Sequence, residues 1–180
     1  MDSTRSAELF RQIVLPHLRD ALALARWLAG NQSDAEDIVQ ESCVRALKSV
    51  DGYAGGSARA WLLAIVRNTA FTWLARHRSA SLVMVGDLGD IDDVSRDADT
   101  AAEPQPTPES ELIRRADQRA LATAIATLSL PLREVVVLRD ISGFSYKEIA
   151  AVLNLPIGTV MSRLSRGRHQ VATEIRRADA

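Results

Sequence analysis

Apolar and small residues recur three and four positions apart along most of this chain, while no alternating pattern persists. That period belongs to amphipathic helices, so the sequence predicts an all-α protein. Residues 5–29 read as helical, with Pro16 bending or restarting the run. Ser33 followed by Glu36 is a capping-box signature for the next helix. Ala35, Ile38, Val39, Ser42, Cys43, Ala46, Leu47 and Val50 give that helix its inward face. Asp51-Gly52 and Gly55-Gly56 break the chain. Another helix starts near Ser57 and runs through Trp61, Leu62, Ile65, Val66 and Trp73 to about Arg78. Trp61 and Trp73 fit a core better than an exposed stacking surface. Residues 1–80 therefore predict a bundle of three or four helices.

The pattern stops between 81 and 108, where Gly, Asp, Ser and three prolines (Pro104, Pro106, Pro108) gather. Such a stretch predicts a flexible linker. Thr107-Pro108 then supplies a cap with proline at the first helical position. Helical spacing resumes through Leu112, Ile113, Leu121 and Ile125 to about Leu128, and Pro131 opens a helix ending near Gly143. Ser145 and Glu148 form a second capping box, for a short helix to Leu153. Asn154-Leu155-Pro156 reads as a turn, followed by a long Arg-rich helix to about Arg177.

Charge changes this picture more than composition does. The net charge is −1, yet residues 1–80 carry +2, residues 81–111 carry −8 and residues 112–180 carry +5. Two mildly basic helical modules, 1–80 and 112–180, flank an acidic linker, 81–111. That asymmetry hints at nucleic-acid contact. Cys43 is alone, which excludes an intrachain disulfide and fits a reducing cytoplasm. Arg5, Glu8 and Arg11 interrupt any secretory signal, and no apolar run is long enough for a membrane insertion.

The chemistry concentrates in 145–169. A short helix, a three- or four-residue turn and a basic helix make a helix-turn-helix pattern. Ile149, Ala150, Leu153, Val160 and Leu164 would pack inward. Thr159, Ser162, Arg163 and Arg166, spaced by three and four, can share an outward face. Arg suits guanine edges, and Thr and Ser suit phosphates or base edges. In the first module, Asp37, Gln40, Glu41 and Val44 form an acidic stripe with an apolar member, opposite Ile38, Val39 and Leu47. That stripe suits a basic helical partner.

The runs Leu130-Pro131-Leu132-Arg133-Glu134-Val135-Val136-Val137-Leu138-Arg139, Gly143 to Ala150 and Pro156 to Arg168 resemble the C-terminal promoter-reading domain of bacterial sigma factors. Asp34 to Glu41 resembles the sigma segment that grips the clamp of core RNA polymerase. Arg59 to Asn68 is similar to the segment that melts and reads the −10 element. With no room for further domains, the pattern is that of the extracytoplasmic-function group. The resemblance implies core contacts through Asp37, Gln40, Glu41 and Val44. It implies −10 contacts through Tyr53, Arg67, Asn68, Thr72 and Arg76, with the loop from Tyr53 to Ser57 facing a flipped-out base. It implies −35 contacts through Lys147, Thr159, Ser162, Arg163, Arg166 and Arg168. Core RNA polymerase and promoter DNA are the implied partners, together with an anti-sigma factor. Two positions depart from common versions of the family. Pro156 stands where a capping Ser is frequent, and Gly167 replaces a usual Ala, which lowers local helix propensity.

An enzyme is disfavoured. His17, His77 and His169 are not at metal-ligand spacing with Cys43, and Gly52, Gly55 and Gly56 lack the Lys-Ser/Thr of a phosphate loop. No cofactor, metal or catalytic residue is expected. A stand-alone operator-binding repressor would bring dimerisation heptads or a ligand domain, and none is legible. A pure interaction protein would not need the basic helix.

Overall fold

The computed structural model describes residues 3–77 and 108–178. Most of the expected acidic linker, the Thr107 cap and the helix end at Arg78 lie outside the described residues. Described residues form eight α-helices and no strand. Helix α1 (Ser3–Ile13) leads through a 3₁₀ turn at Leu15–His17 into α2 (Leu18–Ala29). Pro16 thus restarts the helix rather than kinking it, since its ring is tolerated in a first turn. Helices α3 (Gln32–Ser49) and α4 (Ala58–His77) complete the first half. Helix α5 (Pro108–Thr127) opens the second, so residues 108–111 are helical rather than linker. Helix α6 (Leu130–Val136) continues through a π turn at Val137–Ile141, and α7 (Tyr146–Leu153) and α8 (Ile157–Ala178) follow.

Local chemistry sets these boundaries. The expected cap of α3 is corrected: Asn31, not Ser33, is the N-cap, its side-chain oxygen accepting from the Asp34 amide at 2.8 Å. Asn31, Ser33 and Asp34 can all cap, and extended backbone at Asn31 decides among them. Ser145 and Glu148 do form a reciprocal capping box, with the Ser145 amide donating to Glu148 at 2.8 Å. These donors hold the Glu148 carboxyl below the usual carboxylate range. Helix α7 ends on Asn154 in the left-handed region (φ 50°), which asparagine tolerates and which turns the chain into α8.

Ala21, Ala25, Ala35, Ala46 and Ala70 are buried where α2, α3 and α4 cross, around Leu24, Leu28, Ile38, Leu62 and Leu63. The second half buries Ile125, Leu128, Val135, Leu138, Phe144, Ile149, Val160 and Leu164. The two sets join in one cluster, because α2 packs on α6 and α4 packs on α7. Each fully buried Leu or Phe in it contributes about 2 kcal/mol. One expected core position is corrected: Leu47 is 46% exposed, whereas Ala150 is half-buried against the core as expected. Trp61 and Trp73 are half-buried against the core.

Gly167 gains a reason that propensity did not supply. It is buried, and a Cβ there would meet Val136 Cγ2 at 2.7 Å. Glycine is what lets α8 approach α6. Gly167→Ala should therefore destabilise the fold by about 1 kcal/mol, overpacking outweighing the propensity gain. Val136→Ala alone also costs stability, but the double variant should lose less than the sum of the two single losses, since the valine methyl is the obstacle. Denaturant titration of the three variants checks this; a stabilised Gly167→Ala would refute it.

Candidate nucleic-acid and partner interfaces

Helix α3 buries Ala35, Ile38, Ser42 and Ala46, four residues apart or nearly so. Its opposite side consequently faces water. Asp37 and Gln40 are exposed, Glu41 is half-exposed and paired with Arg45, and Val44 is 53% exposed. Leu47 extends this stripe by one turn. The face therefore combines carboxylates with two adjacent large apolar side chains, where sequence reading had only one. Carboxylates beside apolar side chains suit a partner surface that is both basic and greasy.

Helix α4 presents a different chemistry. Asn68 and Arg76 are exposed and Thr72 half-exposed, on one stripe at spacings of four. Thr72 donates to the Asn68 backbone carbonyl at 2.9 Å, and the Asn68 side-chain oxygen accepts from Arg67 Nη1 at 3.1 Å. Before this helix, Tyr53 donates to the Gly56 carbonyl at 2.6 Å and stands 5.4 Å from Trp61, ring centre to ring centre. The Tyr53–Ser57 loop is thus stiffened around an aromatic pair, the kind of platform on which an unstacked base can lie.

Arg67 does not share the outward stripe. Its Nε donates to Glu134 at 2.8 Å, across to the second half of the chain, and its guanidinium lies 4.0 Å over the Phe71 ring. Arg163 of α8 donates to the other carboxylate oxygen of Glu134 at 3.2 Å. Glu134 itself is 0% exposed. One buried carboxylate therefore takes two arginines, one from each half. This corrects the expectation that Arg163 shares an outward face with Ser162 and Arg166. A buried carboxylate needs a charged partner, and Arg163 is the one α8 supplies.

The outer side of α8 is what remains. Ser162 and Arg166 are exposed there, Thr159 is half-buried, and Lys147 is exposed on α7. Arg168 is exposed but tied to Asp140, Nε to Oδ2 at 3.0 Å. Ile157 and Met161, 41% and 52% exposed, lie along the flank of that side.

A second link between the halves runs through Arg59. It pairs with Asp20 at 2.6 Å, donates to the Ser142 carbonyl at 2.9 Å and covers the buried Phe144 ring at 4.2 Å. Arg133 reaches the carbonyls of Trp27 and Leu28 from the other side. Sequence reading missed Glu134, Arg59, Leu47, Ile157 and Met161. A carboxylate just before the apolar run Val135–Leu138 was the one available signal for Glu134. Among the described residues no cluster of three or more metal-ligating side chains occurs, and no helix is long and apolar enough to cross a membrane.

Comparison with known proteins supplies the frame for these faces. The profile of Sigma-70 region 2 matches residues 13–80, and that of Sigma-70, region 4 matches residues 118–171. The ECF RNA polymerase sigma factor SigE of Mycolicibacterium smegmatis is 35% identical over 160 residues, covering 89% of this chain and 59% of that protein. The ECF RNA polymerase sigma-E factor of Haemophilus influenzae is 32% identical, covering 84% of this chain and 79% of that protein. Among solved structures, the sigma factor RpoE of Bartonella quintana, bound to the anti-sigma factor NepR, superposes with a TM-score of 0.67 at 28% identity, covering 93% of this chain and 96% of that one. CnrH in complex with the cytosolic domain of CnrY gives 0.64 at 26% identity and 99% coverage of both chains.

Proposed function

Because this chain belongs to the extracytoplasmic-function group of the sigma-70 family, which brings RNA polymerase to promoters, we propose a residue-level division of that task. Helices α1–α4 form the module that docks on core polymerase and handles the −10 element. Docking uses Asp37, Gln40, Glu41, Val44 and Leu47. The −10 element meets Asn68, Thr72 and Arg76 on α4 and the Tyr53 loop, with Arg67 joining once Glu134 releases it. Helices α5–α8 form the −35 module, which reads bases from the outer side of α8 and holds phosphates through Lys147 and Arg166. Its chemistry is binding, with no catalytic residue, cofactor or metal assigned. The compartment is the cytoplasm, where core polymerase and promoter DNA meet. An anti-sigma partner follows by similarity to relatives crystallised with NepR and CnrY.

The observation that carries this reading is the α3 face. A stand-alone operator-binding protein has no use for an acidic and apolar stripe on a module far along the chain from its helix-turn-helix. Asp37→Arg with Glu41→Arg should weaken core binding at least tenfold or so, since like charges across a contact cost several kcal/mol. Neither side chain is buried, so the fold should change by less than about 0.5 kcal/mol. Core-polymerase pull-down and run-off transcription, alongside circular dichroism, give the answer. A folded double variant that binds core like wild type removes the docking assignment.

A further inference from the structure

Helix α8 turns Val160, Leu164, Gly167 and Val171 inward. The exposed side chains that follow Met161 along it, as far as Gln170, are polar: Ser162, Ser165, Arg166, Arg168, His169 and Gln170. Ile157 and Met161 break that rule. They are two of six large apolar side chains exposed among the described residues, and two more, Val44 and Leu47, lie on the docking face of α3. A single exposed apolar residue needs no explanation. Two of them four residues apart, in the leading turns of the second helix of a helix-turn-helix, occupy the part that enters the major groove. The nearby arginines sharpen the point. Arg163 is turned in to Glu134 and Arg168 is tied to Asp140. The groove-facing chemistry left at the front of α8 is therefore apolar plus hydroxyl, with Arg166 behind.

Of the groups displayed in the major groove, the thymine 5-methyl is the apolar one. We propose that Met161, flanked by Ile157, reads a thymine methyl in the −35 element, making this chain select thymine at a position where an arginine in its place would select guanine. The inference rests on the −35 assignment of α8 and adds which base the apolar residues choose. Methionine is suited to the task because its unbranched thioether adapts to a methyl without demanding one fixed geometry.

The test uses holoenzyme, made from core polymerase and the full chain, on promoters with a randomised −35 segment. Each thymine of the enriched segment is then replaced singly by deoxyuridine, which keeps base pairing and removes the methyl alone. One thymine, or two neighbours, should lose about fourfold in open-complex formation, the worth of one buried methyl-sized group. Met161→Ala should be insensitive to that replacement and should no longer enrich thymine there, keeping its other preferences. Met161→Leu should stay sensitive. Met161 is exposed, so these variants keep the fold, as circular dichroism will report. If thymines are enriched but deoxyuridine is harmless at each, or if Met161→Ala stays as sensitive as wild type, the inference is overturned. If no −35 preference emerges in any variant, the −35 assignment itself is overturned with it.

Discussion

Arg163→Ala is expected to lower the stability of the chain by about 3 kcal/mol, ahead of any effect on promoter choice. Glu134 is fully buried, and its carboxylate takes one bond from Arg163 and two from Arg67. Breaking a buried ion pair from one side leaves a charge with too few partners, which costs about 3–5 kcal/mol. The two surviving bonds from Arg67 place the loss at the lower end. A loss of that size would bring the melting temperature down by roughly 6–12 °C in a chain of this length. Spacing alone makes Arg163 a base-reading residue, for which the cost would appear as about 1–3 kcal/mol at one base pair. The two accounts separate cleanly. Removing the whole cluster as Arg67→Met, Glu134→Leu and Arg163→Met should return stability to within about 1 kcal/mol of wild type, because apolar replacement of a buried ion cluster is close to neutral. Calorimetric melting of the single and triple variants decides. A normally stable Arg163→Ala that loses one base preference would restore the base-reading role.

What the sequence showed, and what it hid, follows the range of the interactions. The Ser145 capping box, the Asn154 turn and the bounds of α7 and α8 depend on residues within four positions of each other, and they were legible. The cap of α3 was not, because Asn31, Ser33 and Asp34 compete for one role within four residues. Leu47 was misplaced for a similar reason. Ile38, Ser42 and Ala46 already fill the inward stripe, and counting periods cannot tell a residue beside that stripe from one inside it. Glu134 lies beyond local reading altogether: its partners are 67 residues back and 29 residues on. An acid in an apolar run looks the same whether it is solvated or bridging two modules. Arg59 likewise joins Asp20 to Ser142, three segments no sequence window contains.

These long-range links carry the second large prediction. The names of the −10 and −35 elements set their centres about 25 base pairs apart, roughly 85 Å at 3.4 Å per pair. Two modules that share a buried cluster, with α2 on α6 and α4 on α7, cannot cover both at once. Arg67 faces the same choice in miniature, since the guanidinium that holds Glu134 cannot hold DNA as well. With one module assigned to each element as proposed, the closed arrangement is expected to open before the promoter is engaged. Dyes on cysteines placed at the exposed Arg11 and Arg177, with Cys43 replaced by serine, should show high transfer efficiency in the free chain. Efficiency should be low in holoenzyme on promoter DNA. Arg59→Ala should shift the free chain toward the open state, because it removes a cation–π contact and a hydrogen bond to Ser142 from the closed one. Together these are worth about 1–2 kcal/mol, or roughly tenfold in the closed-to-open ratio. A closed state of small energy gap acts as a tax on binding, reducing apparent affinity by the fraction of chain that is open. Arg59 is outside the assigned DNA and polymerase contacts, so Arg59→Ala should bind core and promoter more tightly than wild type, up to about tenfold. Equal transfer efficiency in the free and promoter-bound chains would show that the modules never part. Unchanged affinity in an opened Arg59→Ala would show that parting carries no cost.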